Sequence, residues 1–302
     1  MTLKLGSMPA SGRYVSIMAI AAGLSLVRGF FVAGILDLSS FGLYVTVVAV
    51  GMFSSLLVSF GETERTLKAF PRFWVARHCN EVIKRAEQSS KLMIRRAGVV
   101  LILLLTCVVV DDLRSLSYTG ILVVLVALSA AVASLYASAI RATGEVDLLA
   151  RNTLVRALIV IVLGVLGAYL YSWQGAILGE VLGTLLGILI TRHSVIRQTM
   201  QADQSNEVVD ENDGVKIASD RGLWFFFAAL FASAPVYLDR AFVATVFGDA
   251  TVGTFGFLML FVTGANTFTG IIIQKVGPNL IKMEYVGNSV AVQAGYALRW
   301  LS

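Results

Sequence analysis

From Ile121 to Ile140 the chain runs without one acidic or basic residue, and comparable uncharged runs cover 158–170 and 253–273. About 20 apolar residues in a helix cross the hydrocarbon core of a bilayer, and several such runs constrain a chain more tightly than any motif. In lipid no water satisfies the backbone, so a spanning segment must be a helix or part of a closed barrel. Runs this long and unalternating read as helices. With 57% hydrophobic and 14% charged residues and a mean hydropathy of +0.80, the chain holds more apolar surface than a soluble domain can bury. The expected class is all-α, a polytopic membrane protein.

Eight spans are expected, at 14–36, 41–60, 92–110, 118–140, 154–170, 175–190, 223–246 and 252–273. The third is the shortest in uncharged length and relies on Arg95 and Arg96 snorkelling to the interface. The stretch before the first span carries Lys4 and Arg13, and no small-residue cleavage site follows, so it reads as an uncleaved first helix.

Alternate loops divide the basic residues unequally. Lys4 and Arg13, the cluster from Arg65 to Arg96, Arg141 and Arg151, the group from Arg192 to Arg221, and Lys275 with Lys282 fall on one side. Arg114, beside Asp111 and Asp112, stands on the other. Positive charge is retained in the cytoplasm, so the N-terminus is expected inside, with the chain multi-pass in the cell inner membrane. The same distribution explains the net charge of +5 without nucleic acid, which is not an expected partner. Membrane lipids are.

Two inner loops differ in kind. The segment 62–96 is basic and holds Phe70, Phe73 and Trp74, which reads either as an amphipathic helix on the inner leaflet or as a charge cluster that retains topology. The segment 198–221 is polar, with Asp203, Glu207, Asp210, Glu211 and Asp213, and reads as a linker. It divides an N-terminal six-helix lobe, residues 1–197, from a second unit of two helices and a tail, residues 222–302.

A weak internal repeat joins the two. Arg28, Phe31-Val32-Ala33, Gly42 and Tyr44 recur as Arg240, Phe242-Val243-Ala244, Gly253 and Phe255, at a constant separation of 211 residues from the triplet onward. Pro71 and Pro278 follow the second span of each unit at nearly the same distance. Six spans separate the copies, so both face the same way across the membrane. Like-oriented bundles of this kind enclose their substrate near the midplane.

Arg28 and Arg240 lie inside spans, where a charge costs at least ~2.5–3.5 kcal/mol. Either both line a water-filled cavity and attract an anion, or each pairs locally with a carboxylate or a carbonyl, with Asp239 at hand for the second. Glu180 lies beside a stripe of Gly175, Gly179, Gly183 and Gly187 that allows close helix packing. It is a candidate ion-coupling residue with Asp239, or an arginine's partner. Asn266, near Thr263, Thr267 and Thr269 and with Pro235 one span earlier, is a candidate sugar contact or an ordinary interhelical bond. Cys79 and Cys107 are packing residues, not a disulfide. His78 and His193 lack further ligands, so no metal site or cofactor is expected. No phosphate loop or nucleophile elbow is present, and the external loops are short; an enzyme is not expected.

The segments Leu38-Ser39-Ser40-Phe41-Gly42-Leu43-Tyr44, Ile140-Arg141-Ala142-Thr143-Gly144-Glu145 running to Arg156-Ala157-Leu158, Gly175-Ala176-Ile177-Leu178-Gly179, and Tyr237-Leu238-Asp239-Arg240 with Val252-Gly253-Thr254-Phe255 resemble the polysaccharide-biosynthesis flippases, the Wzx-type O-antigen and exopolysaccharide exporters of the MATE-like superfamily. That resemblance implies a six-helix first lobe of a MATE-like fold with an incomplete second lobe. It implies flipping of undecaprenyl-pyrophosphate-linked oligosaccharide by alternating access, with Arg28 and Arg240 in a cationic cavity and other polysaccharide-assembly proteins as partners. The family has about twelve or more helices, so the resemblance also implies that this sequence is a fragment or that a partner completes its second lobe. A drug or metabolite antiporter of the same superfamily, a polymerase or ligase of the same pathway and a non-transporting scaffold are the alternatives.

Overall fold

The computed structural model describes residues 9–107, 114–204 and 222–285. Among the described residues the fold is entirely helical. The order is α1 (Pro9–Ile35), α2 (Leu38–Ser59), α3 (Glu62–Val75), α4 (Cys79–Cys107), α5 (Arg114–Thr143), α6 (Val146–Gln204), α7 (Gly222–Phe247) and α8 (Asp249–Tyr285). Six of these helices, α1, α2, α5, α6, α7 and α8, are long and apolar enough to cross a membrane. Their outward faces carry bare Leu, Val and Phe, including Val162, Leu189 and Phe231. Such a surface is stable against hydrocarbon and not against water. The chain is read as a membrane protein.

The expected fifth and sixth spans form α6, which breaks at Tyr171 and Ser172, where Ser172 takes a φ of 57°. Its halves fold back on one another as an antiparallel pair, and the glycine stripe is the contact. A Cβ at Gly175 would overlap the carbonyl of Gly167, and one at Gly179 that of Leu163. A Cβ at Gly183 would lie 2.8 Å from the Val160 Cα, and one at Gly187 would lie 2.5 Å from the Arg156 Cγ. Without side chains there, the two backbones touch.

α3 corrects one expectation. Its apolar face does not lie on a leaflet: Phe70 and Phe73 are almost fully buried, in a cluster with Tyr14, Met93, Leu135 and Ile140. Arg85 covers the Phe73 ring, 4.5 Å from its centroid. Burial pushes the Glu64 carboxyl above its ordinary range. Arg96 is tied to the end of α2. Its Nη1 donates to the carbonyls of Val58 and Ser59, 3.3 and 3.1 Å away, so its charge sits at the negative end of α2. At the start of α2, Asp37 accepts from the backbone N–H groups of Ser39 and Ser40, and Ser40 holds that carboxyl below its usual range.

α6 stays helical through Gln204, so the first part of the expected linker is helix; its remainder, 205–221, the Asp111-Asp112 turn and the tail beyond 285 lie outside the described residues. Two apolar clusters bracket the bundle of α1, α2, α5 and α6. One holds Tyr14, Met18, Ile188 and Val195. The other holds Val32, Phe41, Tyr44, Ile177 and Val181.

α7 and α8 pack against α1 and α2. A Cβ at Gly42 would overlap the Asp249 carbonyl oxygen, and one at Gly253 would overlap the Leu38 carbonyl oxygen. Asp249 lies 211 residues after Leu38, as Gly253 lies after Gly42, so these two contacts are one contact made twice. A Cβ at Gly256 would lie 2.8 Å from the Cγ1 of Val45, its own counterpart 211 residues earlier. Equivalent residues also meet, since a Cβ at Gly42 would lie 3.1 Å from the Gly253 N as Val45 lies at Gly256, so α2 and α8 run parallel across a local two-fold. Phe30 on Phe257 (5.5 Å between ring centroids) and Phe60 on Phe226 (4.8 Å) close the flanks.

Candidate functional site

Between the two apolar clusters lies a cavity of about 550 Å³. It is walled by α1, α2, α5 and both halves of α6, and Thr267 of α8 reaches it. Its ionisable lining is Arg28, Arg141, Arg156 and Glu180. That is three guanidiniums against one carboxylate, a formal excess of two positive charges.

Glu180 is 9% exposed and holds the cavity's one ion pair: Arg28 Nη1 lies 3.1 Å from its Oε2. The Tyr44 hydroxyl donates to its Oε1. The residues come from α1, α2 and the second half of α6, and sequence spacing gave no hint that they meet. Gly164 makes room for them, since a Cβ there would lie 3.2 Å from the Glu180 Cγ. Glu180 is thus an arginine's partner, one of its two expected roles. A carboxylate with a guanidinium on one oxygen and a phenol on the other fixes all three side chains.

Arg141 and Arg156 are differently placed. Among the described residues neither pairs with a carboxylate, and the Nε of Arg141 is buried without an acceptor. Arg141 and Arg156 repel each other, and Arg156 also feels Arg28. Asn152, 8% exposed and four residues before Arg156 on the same helix face, has an Nδ2 with no acceptor. Thr153 and Thr191 on this lining satisfy their hydroxyls on their own helices, at the carbonyls of Leu149 and Gly187. The buried side-chain atoms left without a partner on this lining, Arg28 Nε, Arg141 Nε and Asn152 Nδ2, are all donors.

Arg240 does not line this cavity, and the expectation that the two arginines of the repeat share one chamber is not met there. It is half-buried on α7 with its Nε unpartnered, and its backbone N–H donates to the Asp239 carboxylate at 2.6 Å. Asn266 is exposed on α8, one residue from the cavity-lining Thr267. The sequence singles out neither Arg141 nor Arg156 for a site: Arg141 sits at an expected span end and passes for a topology signal, and Arg156 stands just inside the next expected span. Arg156 lies ten residues inside α6, and the missing acidic neighbour was the usable sign.

Comparison with protein-family models, curated proteins and solved structures finds no match to this chain. What fold and site define is a class: an all-helical protein with membrane-crossing helices and an arginine-rich interior cavity.

Proposed function

We propose that this chain carries an anionic lipid-linked oligosaccharide across the bacterial inner membrane, as a flippase for polysaccharide biosynthesis. The observation that carries the reading is the cavity with its two uncompensated guanidiniums. Charge at that depth in a membrane is costly unless water and an anion meet it. A polyprenyl diphosphate supplies the anion, and its glycan supplies groups for serine, threonine and asparagine. In this reading eight segments cross the membrane: the two halves of α6 and the apolar end of α4 count with α1, α2, α5, α7 and α8. The N-terminus is cytoplasmic, and the parallel contact of α2 and α8 is where two like-oriented units rock for alternating access. Arg28 is the cargo contact at the Glu180 end, Arg240 and Asn266 are contacts from the α7 and α8 side, and Glu180 and Asp239 are the coupling carboxylates.

Purified chain in liposomes loaded with a fluorescent polyprenyl-diphosphate oligosaccharide tests this. Transbilayer movement, read as time-dependent protection of the glycan from an external glycosidase, is expected above the rate of empty liposomes and is expected to fall with Arg28→Glu. Movement no faster than in empty liposomes contradicts the proposal.

A further inference from the structure

The cavity holds more positive charge than its own carboxylate answers, and the surplus is localised. Arg28 is matched by Glu180, whose other oxygen is taken by Tyr44. The surplus is Arg141 and Arg156. We propose that Arg141, Arg156 and Asn152 form a receptor for a dianionic phosphoryl group, a loading subsite separate from Arg28. The proposal deepens the transport reading and rests on it only for the source of the phosphate.

Three observations carry it. Two guanidiniums face a common cavity and, among the described residues, have no carboxylate partner. A nine-tenths buried amide and the Arg141 Nε present further donors that nothing accepts. Buried donors are nearly always satisfied, so buried donors left open on one cavity wall are the imprint of an acceptor. The acceptor must bring about two negative charges to neutralise the pair, and the planar fork of guanidinium matches phosphate oxygens two at a time. A monocarboxylate leaves one arginine uncompensated. A diphosphate or phosphate monoester does not.

Position separates this subsite from the ion pair. Arg141 lies near Tyr14, and α1 rises roughly 20 Å from Tyr14 to Arg28 at 1.5 Å per residue. Arg156 stands between, near enough to both arginines to feel their charge. The cations therefore form a ladder along the bundle, beginning at the end where α1 starts and finishing at Glu180. An anion bound at Arg141 and Arg156 has a third guanidinium ahead of it, already held by a carboxylate that it must displace.

The test uses the full chain in lipid nanodiscs, with inorganic pyrophosphate and a polyprenyl diphosphate as probes, read by titration calorimetry and thermal unfolding. Pyrophosphate is expected to bind and to raise the unfolding temperature, and Arg141→Gln and Arg156→Gln are each expected to weaken it by about tenfold or more. Without ligand, both variants are expected to unfold at or above the wild-type temperature, because each relieves repulsion and breaks no ion pair. An arginine with a merely structural role gives the opposite result. No pyrophosphate binding, binding unchanged in both variants, or ligand-free variants that lose stability or fail to fold would overturn the subsite. A polyprenyl diphosphate that outcompetes pyrophosphate assigns the anion to a lipid; equal binding assigns it to a free phosphate compound, and both support the subsite. If the subsite binds while no lipid-linked glycan crosses, the transport reading falls alone. If glycan crosses while both variants bind pyrophosphate normally, the subsite falls alone.

Discussion

The first and last helical pairs, α1 with α2 and α7 with α8, repeat a short pattern and stand in different surroundings. In the first, Arg28 points into a cavity closed by α5 and α6, and Glu180 and Tyr44 fix it. In the second, Arg240 lies half-buried outside that cavity, beside an Asp239 whose carboxylate accepts from backbone. Within their most apolar windows, 39% of α2 is buried against 6% of α7. The difference teaches that the repeated residues set how the pairs dock on one another, while the role of the repeated arginine is set by helices elsewhere in the chain.

The largest effect expected from this contrast is at the ion pair. Glu180→Ala leaves Arg28 uncompensated in a largely buried place and is expected to cost about 3 kcal/mol, whereas Arg240→Ala is expected to cost about 1 kcal/mol or less. Thermal unfolding of the purified variants measures both, and Arg28→Gln added to Glu180→Gln is expected to recover most of the loss. Equal losses at Glu180 and Arg240 would erase the contrast.

The local two-fold is sharpened by paired substitutions. Gly42→Leu and Gly253→Leu each drive a side chain into the partner helix backbone and are expected to destabilise by similar amounts, about 1–3 kcal/mol. In a background lacking Cys79 and Cys107, Val45→Cys with Gly256→Cys is expected to cross-link on mild oxidation. The existing approach, 3.2 Å from the Val45 Cβ to a Cβ built at Gly256, is within a few tenths of an ångström of disulfide geometry. Unequal losses at the two glycines, or no cross-link, would break the symmetry.

The smallest effect is at Glu64. Its carboxyl is raised by burial, so its ionised form opposes folding; that penalty is absent below the ordinary carboxylate range, grows as pH rises from there to the raised value and is full above it. Glu64→Gln is expected to unfold at a slightly higher temperature than the wild type at neutral pH, with the advantage shrinking on acidification. A difference that grows on acidification would reverse the sign.

How much of this was legible in the sequence follows from the kind of force involved. Membrane-crossing helices are a property of composition, and the uncharged runs at 121–140 and 253–273 lie within α5 and α8. The glycine stripe and the Gly42 and Gly253 positions were legible because close backbone contact admits few residue types. The Glu180 constellation was not, because its three residues come from helices far apart in the chain and each alone has an innocent explanation. Arg141 was hidden by a convention, since positive charge near a span end is attributed to topology. α3 was seen as amphipathic, but periodicity records that a face is apolar and not whether lipid or protein covers it.

The central claim is that a wet, cationic chamber lies inside the bundle of α1, α2, α5 and α6. Thr184→Cys, on the cavity wall, in a chain lacking Cys79 and Cys107, places one thiol there. Its labelling rates with an anionic and a cationic membrane-impermeant thiosulfonate measure both water and charge. Labelling by the anionic reagent is expected to be faster than by the cationic one by about tenfold or more, after correction for their rates on a free thiol. No labelling, or faster labelling by the cation, would contradict it.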